Sequence, residues 1–310
     1  MTAMEPTPPT LLPGQSARVM IGYLDGRTPT EVFATDDLLL EAPNWTLDSR
    51  WLVLNGAGRL WRLPADGGSG IEEIPLSDVP ALNNDHVLAP DGERIYVSAN
   101  DWHIYEASLL GGAARRITDV DPSGRMHFLH GVSPEDTQLA YIGVVPHDGN
   151  WSADAHVFLM PTAGGPSVQL THGTGPDDGS EFSPDSRWIY FNTESFSDIA
   201  GHAQIARVPV QGGEPEQLTF DGRVNWFPHL SPDRAYAVYL SYPPGTTGHP
   251  PNLDVQLRVI RLPDWTAHVQ VIEVFGGQGT LNVNSWAPDG ERFAYVSYPL
   301  SSPQSADQAW

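Results

Sequence analysis

The chain has 310 residues, no cysteine, and 16 basic against 38 acidic residues, a formal charge of −22. Disulfides, thiolate metal sites and cysteine nucleophiles are thereby excluded, and the charge repels phosphate backbones and anionic lipid, so neither nucleic acid nor a membrane surface is expected as a partner. No stretch approaches the roughly 20 apolar residues of a membrane helix.

Residues 1–16 carry neither a basic start nor an apolar run of signal length. They read as a disordered N-terminal segment, and the chain as cytoplasmic, or periplasmic had a signal been removed. Two strands follow, at 17–23 and 30–34, joined by Asp25-Gly26. A phrase then recurs six times: an apolar residue, a small residue, Pro (once Leu) and an acidic residue. Its small residues are Thr46, Ala89, Ser133, Ser183, Ser231 and Ala287, at intervals of 43 to 56 residues, the length of a propeller blade or slightly above.

Behind each phrase stands a strand rich in β-branched and aromatic residues: 51–54, 94–98, 139–142, 188–191, 236–240 and 293–297. A third, alternating strand follows at 103–107, 156–160, 204–208 and 253–259, then Gly-rich turns and short outer strands such as 114–118 and 215–219. The last repeat has only two strands before Leu300. The pair at 17–34 supplies the other two, so the chain is expected to be all-β: one six-bladed β-propeller over 17–300, with its N-terminal strands closing the last blade and a frayed tail over 301–310.

Polar residues gather just ahead of each phrase, where inner strands surround the channel mouth: Asn44, His86, His130, Glu181, His229 and Asn284, and before them Asn84, Asp85, Asp178, Asn225, Trp226 and Asn282. Imidazoles and carboxylates from different blades suit a borderline divalent cation (Mn, Zn or Ca). His86, His130, His229 and Glu181 are thus candidate metal ligands, with Asp178 or Gln278 completing the shell. Asn84, Asp85, Asp178, Asn225, Trp226, Gln278, Asn282 and Asn284 are candidate ligand-binding residues. Without a metal, the same polar groups simply hydrogen-bond to water and blade backbones.

Trp226 and Phe227 could stack on a neutral sugar, whereas Trp45 and Trp286, in the apolar register, read as core. Asp119 to Gly124 matches the first half of a calcium loop, but its twelfth position is His130 rather than Glu. The insertion 242–252 reads as a rigid Pro-rich hairpin, or else as a lid that brings His249 to the pocket.

The Ser-Pro-Asp phrase with "GG…LT" endings at Gly164-Gly165…Leu170-Thr171 and Gly212-Gly213…Leu218-Thr219 resembles the repeat of TolB-like propellers over 17–300. Asn83-Asn84-Asp85-His86, Leu129-His130-Gly131, Asp177-Asp178-Gly179, Asn225-Trp226-Phe227-Pro228-His229, Gly248-His249-Pro250 and Phe275-Gly276-Gly277-Gln278-Gly279 resemble a bacterial subgroup labelled biopolymer-transporter components. The export signal and N-terminal α/β domain of the Tol component are not seen. A weaker resemblance, to oligogalacturonate lyases, implies a divalent metal and an acidic sugar without assigning residues. The expected function is a binding or scaffold propeller that recognises a small molecule, glycan or protein at the channel mouth. The alternative is a metal-dependent enzyme that β-eliminates an acidic sugar.

Overall fold

The computed structural model describes residues 7–68, 70–146 and 154–301. Six antiparallel sheets stand around one channel, and no helix occurs among the described residues. From the inside outward, blade 1 comprises Leu40–Trp45, Trp51–Gly56, Arg59–Pro64 and Glu72–Ile74. Blade 3 comprises Met126–Val132, Gln138–Val144, Ala155–Pro161 and Val168–Gln169. Blades 2, 4 and 5 repeat the pattern, with inner strands Leu82–Leu88, Asp177–Phe182 and Val224–Leu230.

Blade 6 joins the two ends of the chain. Ala17–Tyr23 pairs with Arg292–Ser297 from Arg18 opposite Ser297 to Tyr23 opposite Arg292, and Thr30–Thr35 adds the outer strand. An isolated bridge from Trp286 to Phe293 marks the innermost position. The two-plus-two closure is present as expected. Gln15, placed by the sequence reading in a disordered segment, instead bridges Leu300, and its side-chain amide donates to the Tyr298 carbonyl at 3.0 Å. Residues 1–6 and 302–310 lie outside the described residues.

The recurring phrase is a turn with a specific chemistry. The residue just after the acidic one has positive φ in all six copies: Ser49 (62°), Gly92 (74°), Asp136 (54°), Ser186 (56°), Arg234 (61°) and Gly290 (69°). That left-handed residue lies in the hairpin loop between inner and second strands, which in blade 1 runs from Trp45 to Trp51. Where the small residue is Ser or Thr, its Oγ accepts the backbone N–H five residues on, at 3.0 Å for Trp51, 3.0 Å for Trp188 and 2.9 Å for Tyr236. The phrase carboxylate receives that hydroxyl in turn, at 2.7 Å for Asp48 and Asp185 and 2.6 Å for Asp233. In the "LT" ending, Thr118, Thr171 and Thr219 accept the third-strand N–H groups of Ile104, Val157 and Ile205 at 2.9–3.0 Å, while the preceding Ile117, Leu170 and Leu218 are buried.

Second strands are covered on both faces, so they are buried along nearly their whole length. The apolar residues gather into six clusters, one in each gap between neighbouring blades. Phe182, Ile189 and Val208 of blade 4, for example, meet Ile142, Val157 and Leu159 of blade 3. Trp45 and Trp286, both 4% exposed, belong to such clusters, as their register implies.

Candidate functional site

Five inner strands slip register as they reach the channel, between Glu41 and Asn44, Leu82 and His86, Leu129 and Gly131, Asp178 and Glu181, and Trp226 and His229. A bulge adds a residue to one strand and re-aims the side chains beside it. Close approach of neighbouring blades requires glycine here. A Cβ on Gly131 would lie 2.8 Å from the Ser180 carbonyl, and one on Gly179, where φ is 65°, would lie 2.9 Å from the Phe227 ring.

Above the bulges opens a cavity of about 640 Å³ that draws on blades 2 to 6. One side is apolar, formed by Trp102, Phe128, Ile142, Val144 and Ala155, with the Trp102 and Phe128 rings 5.7 Å apart. The rest of the lining is mostly polar. His130 Nε2 lies 2.9 Å from one Asp178 oxygen and His249 Nε2 lies 3.4 Å from the other. His249 also hydrogen-bonds Gln278 through Nδ1 and packs on Trp226 and Phe227, with ring centroids at 4.5 and 5.2 Å. Asn282 Nδ2 donates to Gln278 Oε1 at 3.0 Å. The 242–252 loop thus places Thr247, Gly248, His249 and Pro250 in the cavity wall, which corrects the reading of it as a plain hairpin loop.

These groups perturb one another. Burial alone would pull the His130 imidazole down, but the charges of Asp85 and Asp178 and the Asp178 hydrogen bond outweigh it and hold the pKa at about 9. Against burial, the bonds from His130 and His249 keep the Asp178 carboxyl well below the usual range. Burial pushes Asp85 up to about 6, the His130 charge pulling down and the Asp178 charge pushing up. Burial also lifts Glu41 to about 7, against a 3.3 Å hydrogen bond from Asn84 Nδ2. Sequence reasoning missed Glu41, because its place on a bulge is not visible in the phrase register.

The other candidates lie outside this cavity. His229 Nδ1 meets Glu181 Oε2 at 2.5 Å and its Nε2 donates to the Leu281 carbonyl at 3.0 Å. Asn284 Nδ2 donates to Glu181 Oε1 at 2.9 Å, and Asn44 Nδ2 to the Asn284 carbonyl at 2.7 Å. His86 is buried with its Nε2 3.4 Å from the Val53 carbonyl, and burial pulls its pKa down to about 4. Asn225 is enclosed in blade 5 and accepts from Ser241 at 2.7 Å.

The three histidines expected to converge therefore take separate partners: His229 stands two residues before its small residue where His86 and His130 stand three, and the bulges fall at unequal places. Among the described residues no group of three or more His, Asp or Glu could hold a metal ion, so the donors do not fit the expected Mn, Zn or Ca site. At 119–124 Asp121 caps Ser123 and pairs with Arg125 at 3.2 Å.

No helix among the described residues is long and apolar enough to cross a membrane. No family model matches the chain. An uncharacterised protein of Agrobacterium fabrum is 36% identical over 292 residues, covering 92% of this chain and 94% of that protein. A solved TolB-type protein from Agrobacterium tumefaciens superposes with a TM-score of 0.82 at 34% identity, over 93% of this chain and 99% of that one. TolB from Acinetobacter baumannii (TM-score 0.59, 18% identity, 87% of this chain and 66% of that one) shares the fold alone. The same holds for an oligogalacturonate lyase in complex with manganese (TM-score 0.51, 12% identity, 84% and 67%). With its six blades, its N-terminal closure and a relative matched over nearly its full length, the chain belongs to the family of TolB-like β-propellers.

Proposed function

We propose that the protein is a binding propeller whose ligand is a small organic molecule held at the channel mouth. One observation carries this reading: a cavity of about 640 Å³ in which an aromatic and aliphatic wall faces a cluster of interacting carboxylate, imidazole and amide groups. Sites for small ligands combine concavity, apolar lining and a few convergent polar groups with perturbed ionisation in this way. A concave pocket partly walled by the 242–252 loop suits a compact ligand better than the flat face of a protein. An acidic sugar is disfavoured, because no Arg lines the cavity among the described residues, the chain has no lysine, and the His130 charge already faces Asp85 and Asp178.

The test is ligand retention. The protein is incubated with a cellular small-molecule extract, washed, denatured and its released compounds are identified by mass spectrometry. A compound retained by the wild type and lost from Trp226→Ala is the expected result. Equal retention by both proteins, or none by the wild type, overturns the proposal.

A further inference from the structure

Within the cavity Asp85 differs from its neighbours. Asp178 is engaged by two imidazoles, Asp177 by Thr171 and His156, and Glu194 accepts the Gly201 N–H at 2.7 Å. Asp85 is 5% exposed and lines the cavity, yet its carboxylate receives no hydrogen bond from any described residue. A carboxylate that faces a cavity with no donor from the protein is open to one supplied by a ligand. The bulge in blade 2 holds it there, with its own N–H tied to Asn83 Oδ1 at 2.9 Å.

Charge and shape point the same way. Among the described residues four carboxylates line the cavity (Asp85, Asp177, Asp178 and Glu194), and the imidazoles of His130 and His249 are the only basic side chains in its wall. An anionic head would meet more carboxylates than imidazoles. A neutral hydroxyl could donate a single hydrogen bond and would leave the charge unanswered. On the blade 2 and 3 side, Trp102, Phe128, Ile142 and Val144 offer an apolar bed, and aromatic faces also attract cations.

We propose that the ligand of this cavity is an organic ammonium, its N–H donors directed to Asp85 and its apolar body laid against Phe128, Trp102 and Val144. The proposal rests on the binding reading above and adds the chemical class of the ligand.

Three probes of similar shape separate the possibilities: phenethylamine, 2-phenylethanol and 3-phenylpropanoate, titrated calorimetrically into the full chain at pH 7.5. The amine should bind one to one, about tenfold or more tighter than the alcohol or the acid. Asp85→Asn should remove that advantage, bringing the amine to no more than the affinity of the alcohol, with folding checked by thermal melting. If the alcohol or the acid binds as tightly as the amine, and Trp226→Ala abolishes that binding, the ammonium assignment falls and the small-molecule site stands. If Asp85→Asn leaves the amine affinity untouched, the assignment falls as well. Failure of all three probes to bind overturns it outright, and the extract experiment then decides separately whether the cavity binds anything. The comparison of probes on the unmodified protein decides the question even if Asp85→Asn does not fold.

Discussion

Buried carboxylates in the channel sort by what answers them. Glu181 is met by His229, by the Leu230 N–H at 3.0 Å and by Asn284, so its charge is shared among three donors. Truncating His229 to Ala takes the imidazole from a buried carboxylate, and the expected cost is about 3 kcal/mol in denaturant melts. Binding in the cavity should be spared, because His229 does not line it. An unchanged stability would show that the pair is dispensable. Glu41 is the opposite case, with one weak donor and a pKa raised by burial from 4.5 to about 7. A raised folded pKa means that the native state binds the proton more tightly than the unfolded chain. Its contribution is then full below about pH 4.5 and lost as pH rises through about 7. Glu41→Gln should therefore match the wild type near pH 4 and exceed it at pH 8 by on the order of 3 kcal/mol, read as diverging denaturation midpoints. Parallel curves at the two pH values would contradict the burial argument.

At the scale of the element, the hairpin phrase shows why the repeat was legible. Small, Pro and Asp are local demands of one turn, so each copy announces the boundary between inner and second strand without tertiary information. Ser183→Ala removes the acceptor for the Trp188 and Arg187 N–H groups and the hydroxyl bonded to Asp185, and should cost about 1 kcal/mol. Gly290→Val, at φ 69° with no atom closer than 3.5 Å to the new Cβ, isolates the backbone strain and should cost at least as much. Equal melting temperatures for these variants and the wild type would refute the turn assignment. Bulges were not legible. They arise from contacts between blades, such as Gly131 against Ser180 and Phe227 N–H on Asn192, and these lie far apart in sequence. Counting back from the phrase found His130 and Asp178 in one place, but it grouped with them His86 and His229, which the bulges turn elsewhere. His249 was visible only as one residue of a long insertion, since nothing local dictates the direction in which a Pro-rich loop folds.

Across the whole molecule, stability depends on a ring in which every blade is packed from both sides. Each of the six apolar clusters spans one gap, and the gap between blades 6 and 1 is filled from the N-terminal strand by Ala17, Val19 and Ile21 against Leu40, Leu52 and Leu54. That strand also covers the edge of Arg292–Ser297, which would otherwise present an unpaired row of backbone groups. Removing residues 1–36 takes away both protections: one interblade cluster loses a wall and the ring gains an open edge. In a solenoid the loss of a terminal repeat subtracts a nearest-neighbour interface and leaves the remainder folded. In a closed ring every blade has two neighbours, so opening one gap exposes apolar surface on the blades at both of its sides. The truncated chain should lose its single cooperative transition, bind a hydrophobic dye at temperatures where the full chain does not, and form oligomers in size-exclusion chromatography through the freed strand. A truncated protein that stays monomeric and melts in one transition at the wild-type temperature would show that blades 1 to 5 sustain themselves, and that the N-terminal pair is an accessory to the fold rather than its clasp.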